Sequence, residues 1–193
     1  MESLREKVRA AYSAAATDPN GRHAFPVGRE FATSLGYPTD WLAGVPSLSV
    51  DAFAGVSNVS LFAEIPPFAT VLDLGCGAGL DSFVAARRTG SGGKVLGFDF
   101  SETMLGRARA AADESGMKNM LFCQADAEHM PVADGSVDIA LVNGIFNLNP
   151  AREAIFRELA RVLRTGGAVY AAELILREPL PEEARADETN WFA

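Results

Sequence analysis

The stretch Val71-Leu72-Asp73-Leu74-Gly75-Cys76-Gly77-Ala78-Gly79-Leu80-Asp81 constrains this chain more than any other part of it. It reads as a short apolar strand that runs into a glycine-rich turn and then a helix. Residues without Cβ tolerate positive φ and let backbone approach a ligand closely. A helix N-terminus behind such a turn points its N–H groups at the bound molecule. The dinucleotide fingerprint is Gly-x-Gly-x-x-Gly/Ala. Here Gly75, Gly77 and Gly79 give Gly-x-Gly-x-Gly, and Leu80 stands where the third small residue belongs. Asp73, two residues before Gly75, suits the ammonium of an amino-acid ligand and would repel a pyrophosphate. A nicotinamide oxidoreductase is therefore the weaker reading of the loop.

The rest of the chain supplies matching elements in order. Lys94 to Asp99 is a second strand ending in an acid. Asp99 follows Gly79 by about twenty residues, the separation at which a strand-end acid grips ribose hydroxyls. Met120 to Gln124 and Val137 to Asn143 read as third and fourth strands, and Ala168 to Leu176 as a fifth. Helices are expected over Leu80–Thr89, Ser101–Ser115 and Pro150–Leu163, the last with a glycine stop at Gly166-Gly167. Its buried stripe is Ile155, Leu159 and Val162, with Arg152, Glu153, Arg157 and Glu158 solvated. Strands alternating with helices predict an α/β, Rossmann-like, mostly parallel sheet with helices on both faces. Ligands bind such sheets at the carboxyl ends of the strands.

From Ala69 to Leu176 the ordered motifs resemble the class I S-adenosylmethionine-dependent methyltransferases. The resemblance implies S-adenosyl-L-methionine as cofactor and S-adenosyl-L-homocysteine as product. It implies that Asp73, Gly75, Cys76 and Gly77 line the methionine moiety, and that Asp99 takes the ribose hydroxyls. Phe100 and Met104 would lie near the adenine face, Asp126 and Ala127 at the adenine edge, and Asn143 and Gly144 beside the sulfonium. Within that superfamily, Asp73 to Asp81, Ala85 to Arg88, Asn143 to Leu148 and Gly55 to Asn58 are similar to the arsenite methyltransferase group. Members of that group bind trivalent arsenic through cysteine thiolates. The matching positions here carry Val56, Ser57 and Gly144. A thiophilic ion needs soft ligands, so arsenite methylation is not expected. Asp126-Ala127-Glu128 is shared with methyltransferases of the quinone-biosynthesis type, which leaves a small-molecule C- or O-acceptor open.

Size and charge narrow the class. With 193 residues one compact domain is expected. It comprises a helical cap over 1–68 and a cofactor-binding core over 69–193. A net charge of −8 disfavours nucleic acid. No apolar run reaches the roughly 20 residues of a membrane span. The charged N-terminus lacks a signal-peptide core, so a cytoplasmic protein is expected. Cys76 and Cys123 make no metal-like pair, read as core residues, and no metal is expected.

The cap carries a helix over Glu2–Ala16 with Leu4, Val8, Ala11, Tyr12 and Ala15 on one face. Short helices follow over Gly28–Leu35 and Pro38–Ala43, and Asn58 can N-cap another running to Glu64. These segments have no place in the sheet and are expected to cover the pocket and shape the acceptor site. Tyr12, His23 and Glu173 are the candidates for catalytic roles. In-line methyl transfer needs a general base only when the nucleophile must lose a proton, so the absence of a triad does not count against an enzyme. After Leu176 only Arg177 to Ala193 remain, ending in Asn190-Trp191-Phe192-Ala193. That tail is too short for the final strands of the usual seven-stranded sheet, which would leave strand five as an open edge and a route to a homodimer. A non-catalytic cofactor-binding module or fragment is the alternative to an enzyme.

Overall fold

The computed structural model describes residues 2–178; the expected tail segment to Ala193 lies outside the described residues. Five parallel strands form one sheet in the order β3-β2-β1-β4-β5. They are β1 (Thr70–Leu74), β2 (Lys94–Asp99), β3 (Met120–Gln124), β4 (Val137–Asn143) and β5 (Leu163–Ala172). β1 sits between β2 and β4, with Leu72 facing Leu96 on one side and Ala140 on the other. The chain winds outward to β3 and returns to the opposite side of β1 at β4. That reversal places a crevice at the carboxyl ends of β1 and β4.

Alternation along β1 explains the layers, because successive side chains point to opposite faces. Leu72 and Leu74 pack with Val142 and with Ile155, Leu159 and Val162 of α8 (Arg152–Val162). Val71 packs with Leu141, with Ala85 and Ala86 of α6 (Leu80–Thr89), and with Val59 of the cap. α7 (Glu102–Ser115) joins Leu105 and Ala108 to a cluster that includes Phe83 and the cap residues Tyr37, Leu42 and Phe53. The Ser101 hydroxyl caps α7 by accepting from Met104 N–H at 3.3 Å.

The cap consists of α1 (Glu2–Thr17), α2 (Arg29–Ser34), α3 (Thr39–Ala43), α4 (Ser47–Val50) and α5 (Val59–Phe62). Core arginines fasten it through the unpaired carbonyls that helix ends leave. Arg107 donates to Leu48 O at 2.7 Å and Ala16 O at 3.0 Å. Arg88 donates to Ser60 O at 2.6 Å and Leu61 O at 2.8 Å, and Arg87 to the carbonyls of Trp41 and Gly44.

Several expectations need correction. The last helix ends at Val162 and β5 begins at Leu163, ahead of the glycine pair. The reason is remote: Gly135 N–H and Ser136 N–H take the Arg161 and Val162 carbonyls, which stops the helix. β5 pairs at Val137↔Leu163, shifts register, and resumes at Ile139↔Ala168, with Gly166 at φ +83°. It leaves the sheet after Ala172. Beyond Pro46, where the sequence suggested no element, lies α4, whose first turn starts from the Pro46 carbonyl accepting Ser49 N–H. Asn58 does not cap α5 with its side chain. Glu158 is not a free surface acid: it accepts from Met130 N–H at 2.8 Å and pairs with Arg161. Cys123 is only half-buried, since β3 is an outer strand packed on one flank. The outer edge of β5 has no partner strand among the described residues; Val169 on β5 and Leu174, Ile175 and Leu176 after it are exposed.

Candidate active site

All eleven residues assigned to the cofactor line one cavity at the carboxyl ends of the strands. Local chemistry brings them together. The turn after β1 closes because Gly75 and Cys76 N–H groups both donate to Phe98 O, at 2.8 and 2.9 Å. Gly75 has φ +75°, and a Cβ there would drive into Ile145. Gly77 has φ +53° and donates its N–H to Asp99 Oδ2 at 2.8 Å. Asp99 Oδ1 accepts from Ser101 N–H at 2.8 Å. One carboxylate thus ties the glycine loop to the turn between β2 and α7, with lone pairs left for a ligand.

Three buried carboxylates meet in this wall, and each accepts from neutral donors. Asp73 Oδ2 accepts from Ser82 Oγ at 2.5 Å. Burial, reinforced by the charge of Asp81, pushes its carboxyl up to about 8. Asp99 rises to about 6 through burial, held back by the N–H groups of Ser101 and Gly77. Asp81 accepts from Tyr37 Oη at 2.5 Å, from Ser60 N–H at 3.2 Å and from the Ser60 hydroxyl, all at Oδ1. A fourth acid, Asp126, is half-exposed at the rim. Its Oδ1 takes Glu128 N–H at 3.0 Å and its Oδ2 takes Arg5 at 2.8 Å.

The cap supplies wall residues that no sequence motif indicated, Arg5, Val8, Ser49 and the run Ala52 to Ala54, and beside them Gly55. Ser49 is fully buried, and its hydroxyl is the buried side-chain polar atom without a partner among the described residues. An orphaned hydroxyl in a cavity wall is what a bound polar ligand would satisfy. Three carboxylates held only by neutral donors likewise fit a cationic ligand with several donors, such as S-adenosylmethionine.

The three candidates for catalytic roles part company. Tyr12 lines the cavity and stacks on Phe25 with ring centroids 4.5 Å apart. Burial and the charges of Asp99 and Glu173 push its phenol up, so it stays protonated at neutral pH. Glu173 follows β5, is also pushed up by burial, and accepts from Asn147 N–H at 2.5 Å. It is not in the cavity wall. His23 lies away from the cavity, with Nε2 2.8 Å from Asp18 O and its ring near Phe25. Burial pushes the Cys76 thiol well up, which disfavours a thiolate. No group of His, Cys, Asp and Glu suited to a metal ion occurs among the described residues.

Comparison with known proteins bears on this cavity directly. A family model described as a methyltransferase domain matches residues 67–192, which is most of the chain beyond the cap. The chain belongs to the class I S-adenosylmethionine-dependent methyltransferase family. An arsenite methyltransferase from Halobacterium salinarum is 37% identical over 79% of this chain and 39% of its own length. A demethylmenaquinone methyltransferase from Lactococcus lactis is 38% identical over 54% of this chain and 41% of its own. Among solved structures, an arsenic(III) S-adenosylmethionine methyltransferase from Chlamydomonas reinhardtii superposes with TM-score 0.70 and 29% identity, covering 80% of this chain and 56% of that one. The chain spans about two-fifths of the length of the curated relatives it matches. The family accounts for the parallel sheet and for a glycine loop with its acid partners. Among the described residues, no helix is long and apolar enough to cross a membrane.

Proposed function

We propose that this chain binds S-adenosylmethionine in the cavity and transfers its methyl group to a small-molecule acceptor. The observation that carries the reading is the pair of buried acids Asp73 and Asp99, which take only neutral hydrogen bonds around a glycine loop. When bound, the cofactor supplies a methyl group on a positively charged sulfur. The residues position and desolvate. Asp73 would hold the ammonium, Asp99 the ribose hydroxyls, and Asp126 with Ala127 the adenine edge. Phe100 and Met104 would contact the ring, and Asn143 with Gly144 would border the reacting sulfur. Tyr12, held neutral, can donate a hydrogen bond across the mouth but cannot serve as a base near neutral pH.

The acceptor we infer is not arsenite, although the relatives named above include enzymes for it. Val56 packs over Gly144: a Cβ at 144 would sit 2.9 Å from Val56 Cγ1. The two segments where the resemblance calls for thiols are therefore neighbours, and neither carries a thiol here. Cys76 belongs to the cluster around Phe83, and Cys123 packs against the cluster around Phe98, so the two thiols serve different cores. Arsenite supplied with S-adenosylmethionine and a thiol reductant is expected to yield no methylated arsenical. Methylarsenite found by chromatography with element-specific detection would overturn that part of the reading. A cofactor-binding module without transfer is the second reading, favoured by Tyr12, the catalytic candidate in the cavity wall, staying protonated at neutral pH. Isotope-labelled methyl transferred to any quinol or phenol in a screen would exclude it.

A further inference from the structure

Asn143 ends β4, and its side-chain amide is fully engaged. Nδ2 donates to Asp81 Oδ2 at 2.8 Å and to Ser57 O at 2.7 Å. Oδ1 accepts from Val56 N–H at 2.9 Å and from Ser57 N–H at 3.1 Å. The cap segment leading to these amides forms part of the cavity wall through Gly55, where a Cβ would lie 2.5 Å from Asn143 Nδ2.

We propose that Asp81 is a positioning residue: as a group that can only accept, it fixes which way the Asn143 amide faces and so holds the Gly55–Ser57 wall in place. An ionised carboxylate has no hydrogen to give. Whatever Asn143 turns toward Asp81 must therefore be Nδ2, and the opposite side of the amide must be Oδ1. Oδ1 is the atom that two cap N–H groups need. Tyr37 and Ser60 complete the fixing from the other side. Both donate to Asp81 Oδ1, leaving Oδ2 for Asn143. The polarity of the whole run, Tyr37 to Asp81 to Asn143 to Val56 and Ser57, follows from one acid. Asp81 is buried and does not reach a ligand through this network; it acts through Asn143. The functional importance of the wall rests on the cavity being the cofactor and acceptor site, as proposed above.

The substitution Asp81→Asn tests this. Tyr37 and Ser60 still require an oxygen, so the new amide turns its NH2 toward Asn143. Two donors then face each other. Either the contact breaks or Asn143 flips and presents NH2 to the Val56 and Ser57 N–H groups. The double variant D81N/N143D removes the donor–donor conflict, because a carboxylate at 143 accepts from the amide at 81 and from both cap N–H groups; it gives up the Nδ2 donation to Ser57 O. Amide hydrogen exchange by NMR on the full chain reads the outcome without any ligand. In D81N, exchange at Val56 and Ser57 should accelerate about tenfold more than at Leu72 and Leu141, the loss of roughly one hydrogen bond. In the double variant it should fall back at least about threefold from the single variant, short of the original chain because Ser57 O has lost its donor. Acceleration equal to that of Leu72 and Leu141 in D81N would mean a general loss of stability and overturn the proposal. A double variant as fast as the single one would also overturn it. Calorimetry of the unmutated chain with S-adenosylmethionine reads the site assignment separately: absence of binding there would sink the cofactor reading and leave the exchange result standing.

Discussion

At the scale of single residues, the cavity separates groups that hold the protein from groups that wait for a ligand. Asp99 does both, since its two oxygens already tie Gly77 and Ser101 in place. Asp99→Ala should weaken S-adenosylmethionine binding by about 1.5–3 kcal/mol, the worth of hydrogen bonds to a charged group. An unchanged dissociation constant by calorimetry would remove Asp99 from the site. Ser49 is the opposite case. Its hydroxyl is buried and unsatisfied, so Ser49→Ala should leave the free protein as stable or more stable by about 1 kcal/mol. The same change should weaken cofactor binding. Urea unfolding and titration calorimetry should therefore move in opposite directions; loss of stability together with intact binding would show a purely structural serine. That Asp73, Asp99, Asp126 and Asn143 share one cavity was legible because each stands at or just after the carboxyl end of a strand, a local pattern. Arg5, Ser49 and the partners of Asp81 were not. Their roles depend on which part of the cap lies over the sheet, and no periodicity in the cap records that.

At the scale of elements, the strands were readable to within a residue or two where they are buried on both faces, as β1 and β4 are, because a fully apolar run leaves one choice. The end of α8 was misread for a physical reason. The groups that stop it, Gly135 and Ser136, come from a loop far away in sequence, while the glycine pair that looked like the stop lies inside the irregular start of β5. Helices α1 and α4 contribute wall residues beside those assigned to the cofactor, and arginines of α6 and α7 pin the cap to the core. Arg107→Met keeps much of the side-chain bulk and removes both carbonyl contacts. It should cost about 1–3 kcal/mol of stability and preserve a single cooperative unfolding transition. A second transition in calorimetric scans would instead show that cap and core unfold separately. At the cavity rim, Arg5 spans from α1 to Asp126 and Glu128, at 2.8 and 3.3 Å. This pair is solvent-accessible and contributes little to stability; its interest lies in where it sits, on the carboxylate proposed to read the adenine edge.

At the scale of the whole molecule, burying Asp73 and Asp99 among neutral donors makes the free protein and its complex respond to pH in opposite ways. Folding raises Asp73 to about 8 and Asp99 to about 6, above their unfolded values. The folded state then holds these protons more tightly than the unfolded chain does. Their contribution favours folding at low pH and is lost as pH rises from the ordinary carboxyl range through about 8. Thermal midpoints of the free chain should fall between pH 6 and 8, and Asp73→Asn should flatten that slope. Ligand binding reverses the sign. An ammonium beside Asp73 favours the carboxylate, so binding expels a proton and affinity should climb from pH 6 toward the point, about 8, where the ligand's own amine begins to deprotonate. The central claim is that this acidic cavity is built for a sulfonium amino-acid nucleoside and not for a dinucleotide. Titration calorimetry of the chain with S-adenosylmethionine, S-adenosylhomocysteine and NADH at pH 7.5 tests it most directly. Saturable heat with both sulfur ligands, varying in size with the buffer's ionisation heat because a proton is released, and no heat with NADH is the predicted result. Silence from both sulfur ligands, or tight binding of NADH, would contradict it.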